Sequence, residues 1–235
     1  MTKTTPRRRH PMTALIFGTK TTGLHEPAIV QAAWLMVKDP FTLTVVERFE
    51  QRYNPGKPIE LGALATHHIL DEELADCPPA SGFSLPPGTE YLIGHDVDYD
   101  WRVIGAPPVK RICTLALARW LLADIDSHTQ AAMLYLFERG SASSLLQHAH
   151  SARHDVMHCA IVLEHLLARM GDITEATTWQ TLWQRSEQAR IPKTLTFGKH
   201  KGLATSAAPS DYKHWLLNQP DVDPYLVKAL RGEAQ

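Results

Sequence analysis

The 235-residue chain carries 24 Lys and Arg against 25 Asp and Glu, a formal net charge of −1. That balance excludes a global basic field, so any hold on an anionic polymer must come from local patches. Three cysteines, Cys77, Cys113 and Cys159, are widely spaced and odd in number, which suits reduced thiols in the cytoplasm better than a disulfide framework. No apolar run approaches the ~20 residues of a membrane span.

Residues 1–11 are polar, include Arg7-Arg8-Arg9 and lack an apolar signal core, and are expected to form a disordered basic arm. Ala14 to Phe17 then run into a polar stretch bounded by Gly18 and Gly23. This is a short buried strand ending at a loop, where functional groups gather in an α/β sheet. Residues 27–37 and 41–53 predict two further strands joined as a hairpin at Asp39-Pro40. Asn54-Pro55-Gly56 breaks that pattern. Residues 61–68 read as a short helix, and Asp71 as a cap for another. Residues 89–94 predict a buried strand, 100–104 a helix and 109–113 another strand. Helical periodicity follows over 115–122, 129–138 and 155–170. Strands followed by helices, after an early hairpin, predict a mixed α/β sheet flanked by helices. The remainder, 173–235, reads as a linker helix at 174–188 and a small module with helices at 210–218 and 224–231. The first domain is thus expected over 12–172, with the boundary falling near 172–190.

Three stretches carry chemistry. The first is Gly18-Thr19-Lys20-Thr21-Thr22-Gly23-Leu24. The second is Gly94-His95-Asp96-Val97-Asp98-Tyr99-Asp100, at the end of an apolar strand. The third is His150-Ser151-Ala152-Arg153-His154-Asp155, ahead of a long apolar helix. A helix presents Asp155 rigidly. The loop before it lets His150 move, and an imidazole titrating near neutrality suits a general base. His154 and His158 have a spacing suited to zinc, but no third ligand is evident.

In this order the motifs resemble those of the DEDD superfamily of 3′–5′ exonucleases in its histidine subtype, exonuclease X-like and related to the polymerase III proofreading domain. The resemblance implies a ribonuclease H-like fold and a hydrolase that releases nucleotides from single-stranded DNA or DNA 3′ ends, dependent on Mg2+ or Mn2+. It implies that Asp100 and Asp155 are metal ligands and catalytic, with His150 as the base. It sets Thr21, Thr22, Gly23, Leu24, His68 and His95 along the nucleic acid. In the family two ions about 3.5–4 Å apart clamp the scissile phosphate.

The first motif departs from this pattern, because Gly18 and Lys20 stand where the family has Asp and Glu. Gly18 removes a bridging carboxylate, and Lys20 puts an ammonium where a hard oxygen ligand is needed. Weakened metal binding and impaired catalysis are expected. The alternative is an active two-metal exonuclease in which Asp96 and Asp98 supply replacement carboxylates.

Near the end, Leu195-Thr196-Phe197-Gly198-Lys199-His200-Lys201-Gly202 resembles a small C-terminal module that follows some exonuclease X-like domains. Lys199 and Lys201 form a compact cationic turn suited to phosphate, since glycine lets the backbone approach and lysine supplies point charges.

Overall fold

The computed structural model describes residues 13–233; the expected basic arm lies outside the described residues. Five strands form one sheet in the order β3-β2-β1-β4-β5. β1 (Thr13–Thr21) is central, antiparallel to β2 (Ile29–Val37) and parallel to β4 (Thr89–Gly94). β3 (Val45–Arg52) extends the antiparallel side, and β5 (Lys110–Cys113) the parallel side. Ala14, Leu15, Ile16 and Phe17 are buried, as an apolar run in a central strand must be. The β2–β3 turn closes through Lys38 N–H to the Thr44 carbonyl at 3.0 Å, and the Asp39 carboxylate accepts from the N–H groups of Phe41 and Thr42.

The helices of this part are α1 (Leu61–His67), α2 (Val97–Val103), α3 (Thr114–Leu121), α4 (Gln130–Phe137), α5 (Ala142–Leu145), α6 (Ala152–Met170) and α7 (Trp179–Ala189). The sheet mixes parallel and antiparallel strands and is flanked by helices, the α/β architecture read from the pattern. α6 lies against β1 and β2 and also meets α3 and α4. Its buried stripe is Val156, Cys159, Val162, Leu163, Leu166 and Leu167, at the spacing of one helical face. Each fully buried Leu or Val there contributes about 1.5–3 kcal/mol. Among the described residues no helix is long and apolar enough to cross a membrane.

Two helix starts differ from the expectation. α2 begins at Val97 and not at 100, directly after Asp96 leaves the strand path with φ of 70°. α6 begins at Ala152 and not at 155. The Ser151 hydroxyl accepts from the His154 N–H and caps the helix three residues early.

β2 carries one polar side chain in its buried run, Gln31, only 4% exposed. Its Oε1 accepts from the Ala152 N–H at 2.9 Å, and its Nε2 donates to Glu50 at 2.9 Å. Gln31 therefore satisfies a backbone donor at the start of α6, one that has no partner within the helix.

The described chain divides into two compact units at Trp183/Gln184, inside α7. The second contains α8 (Ser210–Leu217) and α9 (Pro224–Arg231) around a small core of Leu195, Ala208, Leu216, Leu226 and Leu230. Asp223 caps α9 by accepting from the N–H groups of Tyr225 and Leu226, and Pro224 opens the helix.

Gln31→Leu is expected to lower stability by about 1–3 kcal/mol, because it leaves the Ala152 N–H buried without an acceptor. Urea unfolding measures this. Glu50→Gln, which keeps an acceptor for the Gln31 amide, should cost less. Equal costs for the two would place the effect outside the helix tether.

Candidate active site

β1 serves two neighbours by alternation, since successive side chains on a strand point to opposite faces. Gly18 and Lys20 face α6. A Cβ at Gly18 would lie 3.3 Å from Val156 Cγ1, and the Lys20 ammonium pairs with the Asp155 carboxylate. Thr19 and Thr21 face α2. The Thr19 N–H and hydroxyl both donate to Asp100 Oδ1, at 2.8 and 2.6 Å. The Thr21 hydroxyl shares a 2.6 Å hydrogen bond with the Tyr99 hydroxyl.

Lys20, Asp100 and Asp155 thus meet at the end of the central strand. The ion pair is shielded, with side-chain exposures of 12% for Lys20 and 25% for Asp155. Burial pushes the Asp100 carboxyl up to about 6, against the Thr19 hydrogen bonds and the Lys20 charge, which pull it down. Asp155 also accepts from the His150 N–H at 3.1 Å. His150 holds φ of 73° and is exposed, so its backbone is tied to the cleft while its ring stands at the surface.

The other expected contacts divide. Leu24 is 84% exposed beside the loop. Gly23 has φ of 155°, and the Glu60 carboxyl lies where a Cβ would project, with Cδ 2.0 Å from that position. Thr22 does not reach the surface. It is buried, its hydroxyl accepts from the Ala28 N–H, and its backbone bonds to Ala28 and Glu60. His95 is likewise committed inward. Its Nε2 donates to the His128 carbonyl at 2.7 Å and its Nδ1 accepts from Thr114 at 2.9 Å. Burial lowers its pKa and keeps the ring neutral.

His68 is exposed in a left-handed position that ends α1. Its neighbour His67 is the histidine that reaches the first motif. His67 Nδ1 accepts from the Ile69 N–H at 3.1 Å, which leaves Nε2 to donate to the Thr21 carbonyl at 3.2 Å. Burial lowers the pKa of His67 as well. Sequence reading missed His67 and Gln31. The available signals were the helical spacing of His67 from Ala63 and Leu64, and the single amide in the apolar run of β2.

Asp98 forms a 2.6 Å ion pair with Arg111, whose guanidinium lies 4.0 Å over the Trp101 ring. Asp96 is exposed. His154 bonds to Ser151, and His158 Nε2 bonds to the Leu145 carbonyl, so that pair is spent on structure. Among the described residues no group of three or more His, Cys, Asp or Glu side chains is placed to hold a metal ion. The donor set does not fit a pair of hard divalent ions. Two carboxylates are available, and one is already paired with an ammonium. Lys199 and Lys201 are exposed in the second unit.

The chain is 31% identical over 212 residues to exodeoxyribonuclease 10 of Escherichia coli K12, covering 88% of this chain and 91% of that relative. It belongs to the DEDD-type 3′–5′ exonuclease family. Exonuclease X in complex with 5′-overhanging duplex DNA superposes with a TM-score of 0.56 at 26% identity, over 72% of this chain and 99% of that one. Escherichia coli exonuclease I bound to single-stranded DNA shares the fold, with a TM-score of 0.54 at 16% identity over 69% of this chain and 42% of that one. No protein-family model matches the chain. Within this exonuclease family fold, the motif-bearing segments are the end of β1, the start of α2 and the start of α6.

The folded protein holds a proton on Asp100 more tightly than an unfolded chain does. Between about pH 4 and 6 the folded state therefore binds more protons, and the Asp100 contribution to stability falls as pH rises through that window. Asn at position 100 keeps an acceptor for Thr19 without the charge. Raising the pH from 4 to 7 should cost the parent on the order of 2–3 kcal/mol relative to Asp100→Asn, measured by denaturant unfolding at each pH. A parent that instead gains on the variant would mean that Lys20 holds Asp100 ionised throughout.

Proposed function

We propose that this exonuclease-family protein keeps the cleft that receives DNA 3′ ends and has lost most of the metal-dependent cleavage carried out there. The observation that carries this reading is the Lys20–Asp155 ion pair: a cation built into the chain occupies a ligand carboxylate. Relatives supply the DNA part, since exonuclease X and exonuclease I are seen with duplex and single-stranded DNA respectively. The family's reaction draws on bound divalent metal. Here Gly18 offers no bridging oxygen, Lys20 repels a cation, and only Asp100 and Asp155 remain of the expected carboxylates. The His150 N–H donates to Asp155, which keeps that loop at the cleft, and a base there would have no activated water to deprotonate while the ligand set is incomplete.

The competing reading recruits Asp96 and Asp98 as ligands. The Asp98–Arg111 ion pair argues against it, because freeing that carboxylate means breaking a partly shielded pair.

Reversion tests the reading. The purified parent should release little or no nucleotide from 3′-labelled single-stranded DNA in magnesium, and Gly18→Asp with Lys20→Glu together should restore release. Each single change should recover little, since one leaves the ammonium and the other leaves the bridge missing; groups acting as a unit are strongly non-additive. In the restored protein, His150→Ala should cost about 10²–10⁴-fold. Melting supplies a second readout. The parent's Tm should not differ between EDTA and magnesium. The double variant should melt lower in EDTA, where the introduced glutamate faces Asp155, and regain stability with magnesium through ligand linkage. A parent already as active as the double variant overturns the reading.

A further inference from the structure

The C-terminal unit sets exposed aromatic rings beside its cationic turn. Residues 195–203 close as a hairpin, with the Leu195 N–H donating to the Leu203 carbonyl at 2.8 Å and the Gly202 N–H to the Leu195 carbonyl at 2.7 Å. Gly198 has φ of 74°, and a Cβ there would come 2.3 Å from the Tyr212 hydroxyl. The turn is therefore seated against Tyr212 on α8. The Tyr212 ring meets His200 edge-on at 4.6 Å and stacks on Trp215 at 5.5 Å with an interplanar angle of 27°.

Trp215 is 54% exposed and Phe197 is 49% exposed. Lys199 and Lys201 project from the same hairpin, both exposed. From Gln184 onward the chain has eight Lys or Arg against five Asp or Glu, the reverse of its overall balance. Large aromatics left open beside lysines are the combination that single-stranded nucleic acid uses: rings stack bases, and ammonium groups neutralise phosphates. An acidic protein segment would be drawn to the lysines but has no need of an open indole face supported from behind by a second ring.

We propose that the C-terminal unit is a single-stranded nucleic-acid site that does not require a strand end, with a base stacked on Trp215 and the flanking phosphates on Lys199 and Lys201. The proposal adds base stacking to the phosphate role read from the lysines. It does not rest on the cleft reading.

The test measures anisotropy of the full-length protein, in EDTA, with an internally labelled, covalently closed oligothymidylate circle, a probe without ends. The parent is expected to bind it. Trp215→Ala and Trp215→Leu should each weaken binding about 5–100-fold, the usual loss for one stacked base. Lys199→Ala with Lys201→Ala should weaken it and flatten its salt dependence, because fewer counterions are released. Lys20→Ala, which alters only the cleft, should bind the circle like the parent. Melting curves establish that each variant is folded; the tail positions are exposed, and Lys20→Ala, which removes a shielded ion pair, is compared with the parent at a temperature below its own melt. Binding by Trp215→Leu equal to the parent's overturns stacking. Failure of the parent to bind the circle, including the case where the turn instead captures an acidic protein, overturns the nucleic-acid assignment. Loss on Lys20→Ala with no loss in the tail variants assigns single strands to the cleft, which overturns this proposal and leaves the cleft reading standing.

Discussion

Hydrogen bonding on both edges of β1 constrains everything at the cleft. β2 holds one side along its length and β4 holds the first half of the other, so the end of β1 cannot shift without breaking a ladder. Alternation along that strand then assigns partners. Positions 18 and 20 must answer to α6, and positions 19 and 21 to α2. Gln31, the register partner of Lys20 on β2, also tethers the first turn of α6. The cation and the carboxylate it pairs with are thus delivered by two elements fixed to each other. Removing a lysine this shielded would leave Asp155 without compensation, which costs more than losing one partner of an exposed ion pair.

Charge explains how these side chains can sit together at the end of β1. A family site with four carboxylates crowds like charges that only cations can offset. Gly18 and Lys20 make this cleft more positive by three formal charges than the four-carboxylate pattern. What remains is one ion pair and one carboxyl, Asp100, which burial moves toward its neutral form and Thr19 holds by two hydrogen bonds. Gly18 and Lys20 thus leave a group of side chains whose charges largely offset one another.

Much of this was legible in the chain, for identifiable reasons. β1 and β4 are apolar runs that stop at polar residues or glycine, and α9 opens with Asp223-Pro224, a cap followed by a residue preset for the first turn. The starts of α2 and α6 were not legible from apolar periodicity, because a hydroxyl at Ser151 and a left-handed Asp96 decide them. α5, four residues long, is too short to show a period. Among site residues, the convergence of positions 20, 100 and 155 followed from motif order. The resemblance points to His68, but adjacent histidines look alike in a sequence, and the left-handed end of α1 turns the His67 ring inward and leaves His68 exposed. Thr22 and His95 sit inside motifs whose exposed neighbours point elsewhere; their own bonds close the loop and brace α3.

The near-zero net charge conceals an uneven distribution. Through Trp183 the chain has sixteen Lys or Arg and twenty Asp or Glu, while the remainder is net positive. Fields between exposed charges fade within about 10 Å at ordinary ionic strength, so what a phosphate meets is the local count and not the total. A cleft with one internal cation and a separate basic, aromatic hairpin therefore make different demands on a nucleic acid. The proposed function gives the first a strand terminus. The second suits any stretch of backbone with a base free to stack. Gly18 and Lys20 belong to the first unit, and the hairpin draws on its own core of Leu195, Leu216 and Leu230.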